Sequence, residues 1–225
     1  MGYLSLEEIE TNFIEKRNKS LWDKLKNKFI IGVIDDHVFY ELRYLHNNLH
    51  VVILTNKIYN PSLFTHELLH LNLRYNGLDT FLFYESISQP FLATMAYTIL
   101  NCIEHVLFFD DFIDMGYKKE EFVMDYANSE YNLINLKKAY SDLQSFSDGQ
   151  HIIDLFLYYV YWTLKNEEYM GVDRNKDFLW LKSSNPLIFA KCERMFDEIV
   201  DFDLESTSVQ KDFNQLLSKY LRRNY

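Results

Sequence analysis

The sequence predicts an α+β fold: a small antiparallel sheet near the N-terminus, packed on a helix that bears a histidine-rich motif, and then a mostly helical remainder. Three observations predict it. Short runs rich in β-branched and aromatic residues fall within the first 55 positions, whereas apolar residues at helical spacing fill most of the rest. No Gly-, Pro- or Ser-rich linker and no internal repeat divides the chain, so its 225 residues are expected to form one domain, 1–225.

Taken in order, residues 4–28 read as one or two amphipathic helices, with Ser5 as cap and Glu8 three residues on, the spacing of a capping box. Residues 29–34, 38–44 and 49–55 read as three short strands. Asp35-Asp36 and Asn47-Asn48 supply the turns between them. The chain then breaks at Asn60-Pro61-Ser62. Asn60 fits an N-cap, Pro61 a first helical position and Asn76-Gly77 a stop, which gives a helix over 61–75. That helix is apolar on nearly every side and is therefore expected to be buried. After a segment with Phe81, Phe83, Tyr84 and Glu85, a long apolar helix over 90–115 is closed by Gly116. Further helices are expected over 118–126, 130–146, 151–165, 186–202 and 206–222.

Hydrophobic residues make up 48% of the chain and aromatics 17%, enough for a substantial core. The formal net charge is −10 with no long basic run, which argues against a nucleic-acid or anionic-membrane partner. Only Cys102 and Cys192 are present, too few for a disulfide framework. The acidic start, with Glu7, Glu8, Glu10 and Glu15, does not resemble a signal or transit peptide. The longest apolar run is interrupted by Asn101, Glu104 and His105, so no membrane span is expected. A cytoplasmic location follows as the expectation. Oligomeric state is not legible.

The chemistry concentrates in His66-Glu67-Leu68-Leu69-His70. On a helix, positions i and i+4 lie one turn apart on the same face, so both imidazoles reach one metal ion. Glu67 sits beside that face, where a carboxylate serves as a general base. Two histidines and a glutamate inside a buried helix are costly unless something satisfies them, and a metal does so.

A catalytic zinc usually takes three protein ligands and keeps one open position. The continuation His-x-x-Gly-x-x-His is excluded, because Leu73 and Asn76 stand where its glycine and third histidine would be. The strongest source of a third ligand is Asn101-Cys102-Ile103-Glu104-His105, a polar cluster on the otherwise apolar helix over 90–115. Spacing does not choose between His105 and Glu104. Glu85 is a weaker candidate, and Asp110 or Asp111 would serve to orient a ligand imidazole. Asp35-Asp36-His37 reads better as a turn, and Cys102 as a small buried hydrophobe. Tyr158, Tyr159, Tyr161 and His151 are candidates for stabilising an oxyanion, although aromatics at helical spacing usually form core.

On these residues the chain resembles the zincin superfamily of zinc metallopeptidases. The match covers residues 63–71 well and 101–117 more loosely. The Glu-His pair followed by Val106-Leu107-Phe108-Phe109 and Gly116-Tyr117 is also similar to a pattern in uncharacterised predicted bacterial metallopeptidases, in which the histidine is the constant member. Asn72 departs from the usual apolar choice two places after the second histidine. The resemblance implies a zincin-like metallohydrolase domain. Zn2+ would be held by His66, His70 and either His105 or Glu104, and Glu67 would be the general base for a metal-activated water attacking a peptide or protein substrate. The rival expectation is a regulatory or interaction protein with a non-catalytic zinc site.

Overall fold

The computed structural model describes residues 2–37, 40–45, 49–80, 90–122, 133–144, 150–169 and 171–221. The architecture is α+β, with a three-stranded sheet near the N-terminus and helices through most of the rest. The chain divides into two compact units. One comprises Met1–Gly77 and Phe108–Ser129, the other Leu78–Leu107 and Glu130–Tyr225.

In the first unit, helices α1 (Leu6–Phe13) and α2 (Lys19–Lys26) precede strands β1 (Ile30–Ile34), β2 (Glu41–Tyr44) and β3 (His50–Leu54). Ser5 caps α1 through a complete capping box: its hydroxyl accepts from the Glu8 amide, and the Glu8 carboxylate accepts from the Ser5 amide at 2.7 Å.

The sheet has the order β1-β3-β2 and is mixed, which corrects the expectation of a purely antiparallel one. β3 runs parallel to β1, with Ile30 opposite His50, and antiparallel to β2, with Glu41 opposite Leu54. Burial explains the order. Val51, Val52, Ile53 and Leu54 are all buried, so β3 takes the central place, whereas β2 carries Glu41 and Arg43, an exposed ion pair suited to an edge. Asp35 and Asp36 therefore lie in a connection that carries the chain past β3, where the amide of His37 donates to the Thr55 carbonyl, and not in a tight hairpin turn. The free edge of β1 is covered by the N-terminal segment. The Leu4 amide donates to the Val33 carbonyl, and the Tyr3 ring lies so close to Gly32 that a Cβ there would meet it at 2.7 Å.

Helix α3 (Pro61–Tyr75) follows β3 and has the predicted bounds. The Asn60 side chain accepts from the amides of Ser62 and Leu63, Pro61 occupies the first turn, and Gly77 leaves the helix at φ 96°. Every residue from Ser62 to Leu71 is buried. Phe13 of α1 stacks on Phe64 with centroids 4.7 Å apart, and Trp22 of α2 lies against the same ring. A buried hydrogen-bond cluster fixes the helix further. Asn18 donates to the Phe13 carbonyl and to the Thr65 hydroxyl, which also meets the Tyr117 hydroxyl at 2.9 Å.

Helix α4 (Pro90–Asp114) belongs to both units. Its last turns, with Phe108 and Phe112, lie in the first, and Gly116 at φ 87° ends it as expected. Beyond it only a short 3-10 turn, Lys119–Glu121, is described of the helix expected over 118–126. Within α4, Leu92–Asp114 is long and apolar enough to cross a membrane, with mean hydropathy 1.4, contrary to the expectation that no run reaches that length. Its Ile99, Leu100, Cys102, Ile103, Phe108 and Phe112 are instead buried in the fold, as core residues.

The second unit adds α5 (Leu133–Gln144), α6 (Gln150–Tyr169), α7 (Asn175–Ser184), α8 (Pro186–Val200) and α9 (Val209–Leu221). Its centre is α6, where Phe156, Leu157, Tyr158, Val160, Tyr161, Trp162 and Leu164 are buried. α7 was not expected from the sequence. It begins without a side-chain cap, and it is held by Arg174, which pairs with Glu167 and Asp177, and by Phe178 against Tyr161 and Phe189. Asn47-Asn48 and the segment with Phe81, Phe83, Tyr84 and Glu85 lie outside the described residues.

Candidate metal centre

His66 and His70 stand one turn apart on α3, and their Nε2 atoms face each other at 3.1 Å. His105 on α4 brings a third ring, and one ring nitrogen from each of the three lies within 4.8 Å of the others. All three are buried, with exposures of 7%, 8% and 2% respectively. Phe108, one turn beyond His105, sets its ring edge-on to His66 and His70, with centroids 5.4 and 4.8 Å away. Phe122 meets His66 from another side at 5.0 Å. These rings restrict the rotamers of the imidazoles and keep water from their flanks.

The donor set fits a metal ion. A tetrahedral ion bonded to imidazole nitrogens at about 2.0–2.1 Å requires a nitrogen–nitrogen separation of about 3.3 Å. The His66–His70 pair is already near that spacing before any ion is considered. Three neutral imidazoles suit zinc, copper, iron or nickel alike, so the group is able to hold a transition-metal ion and the donors leave the element open.

His105 is held at both ring nitrogens. Its Nδ1 lies 2.8 Å from the Asn166 Oδ1 on α6, and its Nε2 lies 3.2 Å from the Asn101 Nδ2 one turn back on α4. Oδ1 accepts only, so Nδ1 carries the proton and Nε2 keeps its lone pair. Asn166 is 3% exposed and is not among the residues the sequence singles out. Its one signal is a polar side chain one turn after Trp162, on a stripe of α6 that is otherwise apolar.

The remaining candidates fall elsewhere. Glu104 accepts from the Thr80 hydroxyl and, among the described residues, does not join the three histidines. Glu67 is buried, 7% exposed, directly after His66. Asp110 and Asp111 are exposed, and the side chain in contact with His105 Nδ1 is that of Asn166. Asp35 accepts from the Tyr59 hydroxyl. Burial pushes the Cys102 thiol up to about 12, so it stays a neutral hydrophobe at physiological pH. Tyr158 and Tyr161 are buried in α6, where burial raises the phenol of each, and Tyr161 donates to Glu193. Tyr159 lies beside Phe156. Glu85 and the side chain of His151 lie outside the described residues.

Compared with protein families, with curated proteins and with solved structures, the chain matches none. Its class therefore rests on the fold and the donor set alone: an α+β protein with a buried three-histidine group able to hold a metal ion.

Proposed function

We propose that this chain is a zinc-dependent peptidase or amide hydrolase with Glu67 as its general base. The observation that carries the proposal is the convergence of His66, His70 and His105, with buried Glu67 directly after the first of them in the chain. Zinc at such a centre supplies an activated water and polarises the substrate carbonyl.

The chain's own residues divide the other tasks. His66, His70 and His105 present lone pairs, which requires each to be neutral. Phe108 and Phe122 keep water off the imidazole flanks and so strengthen every electrostatic interaction inside. The Glu67 carboxylate takes the proton of the attacking water and delivers it to the leaving amine, one group serving as base and then acid. The net charge of −10 favours the approach of neutral or basic peptides over acidic ones.

Glu67→Gln is expected to keep its zinc and to lose about 10²–10⁴-fold in turnover of a peptide library. Unchanged turnover would contradict the role. The deep burial of the three histidines favours a second reading, a non-catalytic zinc site in a regulatory protein. A structural site is closed by four protein ligands, whereas a catalytic one keeps an open position. A native protein that holds zinc and hydrolyses no peptide would support that second reading.

A further inference from the structure

We infer that Asn166 is the positioning residue of this centre. Its amide oxygen fixes the proton of His105 on Nδ1, so that Nε2 is the atom His105 presents. The inference rests on the reading of His66, His70 and His105 as metal ligands, and it adds a group from a different helix.

Four observations carry it. The contact from His105 Nδ1 to Asn166 Oδ1 is 2.8 Å and buried, with His105 2% and Asn166 3% exposed, so water does not compete for either atom. The Asn101 Nδ2 at 3.2 Å from Nε2 is a donor, and it requires the same tautomer independently: proton on Nδ1, lone pair on Nε2. Reversal of either amide alone would set two donors or two acceptors against one neutral ring, so the two asparagines act as a matched pair. Finally, Asn166 sits on α6, whose neighbouring positions Trp162, Thr163 and Glu167 are all buried. An orienting group on so rigid a support holds the imidazole without loss of side-chain entropy on loading.

The choice of an amide over a carboxylate has a chemical consequence. Any acceptor on Nδ1 fixes the ring and raises the basicity of a ligand imidazole, and a neutral amide oxygen does so less than a charged carboxylate. The group that Asn166 sets on His105 is then a neutral acceptor. Asn101 has a different task. Its N–H occupies the lone pair a metal would take, so its amide must turn aside on loading, while Asn166 keeps its contact throughout.

The test uses the full chain, zinc alone as the probe, and two readouts that need no catalysis. In metal-free native protein, nitrogen-15 NMR of the His105 ring should report a proton on Nδ1. In chelator competition, Asn166→Leu should bind zinc about 10–100-fold more weakly than native protein. Asn166→Asp retains the accepting oxygen and should bind at least as tightly as native. A proton on Nε2 of His105, or native-like zinc affinity in Asn166→Leu, would overturn the inference while the metal centre stood. Tenfold weaker binding in Asn166→Asp would overturn it too. Native protein that binds no zinc would overturn the metal reading itself, and with it this one. If Asn166→Leu fails to fold, the native tautomer and Asn166→Asp decide the matter.

Discussion

His66 and His70 owe their facing nitrogens to residues that never touch a metal. Thr65, directly before His66, joins Asn18 from the N-terminal segment to Tyr117 beyond α4, and this buried cluster fixes the rotation of α3 about its axis. Thr65→Val would leave the amide of Asn18 and the hydroxyl of Tyr117 each short of a partner away from water. The expected cost is about 1–3 kcal/mol in denaturant unfolding, against near neutrality if the cluster were incidental. The motif residues themselves were legible in the sequence because both members sit within one turn of one helix. Asn166 was not, since it lies far along the chain from His105 and an asparagine on an apolar stripe has no pattern of its own. Between His105 and Glu104 spacing did not choose, and only the resemblance favoured His105. They are adjacent on α4 and differ only in which way the helix turns them, towards Asn166 or towards Thr80.

Among the elements, the ones with strong end signals have bounds legible in the sequence. α3 has Asn60, Pro61 and Gly77, and α4 has Pro90 and Gly116, so their bounds follow from backbone chemistry. The sheet order was not legible, because strand pairing depends on which strand is most deeply buried and not on which is next in sequence. α7 was not legible for a related reason: it lacks a side-chain cap and depends on tertiary contacts from Arg174 and Phe178. That dependence is measurable. Glu167 is 3% exposed, and desolvation holds its carboxyl above its usual 4.5 despite the Arg174 guanidinium beside it. The folded state therefore binds more protons than the unfolded state between the ordinary and the raised value. The contribution of this group to stability falls as pH rises through that window. Arg174→Met should widen the window upward. It should cost roughly 3 kcal/mol near neutrality, the low end for a broken buried pair because Arg174 is partly exposed, and less in mild acid. Equal losses at both pH values in thermal or denaturant unfolding would contradict this account of Glu167.

For the whole molecule, a buried group of three histidines couples metal binding to folding, because the unfolded chain has no preformed site. Zinc should raise the melting temperature and a chelator should lower it. At a thousandfold excess over Kd the stabilisation is about 4 kcal/mol. His66→Ala should abolish the response. A melting curve indifferent to both zinc and chelator would count against the centre. Composition anticipated a large aromatic core and an acidic exterior, and the described residues bear out the core. The apolar stretch of α4 serves it, with Asn101, Glu104 and His105 partnered inside the fold. The measurement that tests the central claim most directly is an anomalous-difference map of zinc-loaded crystals at the zinc absorption edge. It should show one peak about 2.0–2.1 Å from a nitrogen of each of His66, His70 and His105, with a fourth position not taken by protein. A peak elsewhere, none at all, or a fourth protein ligand closing the sphere would contradict the account.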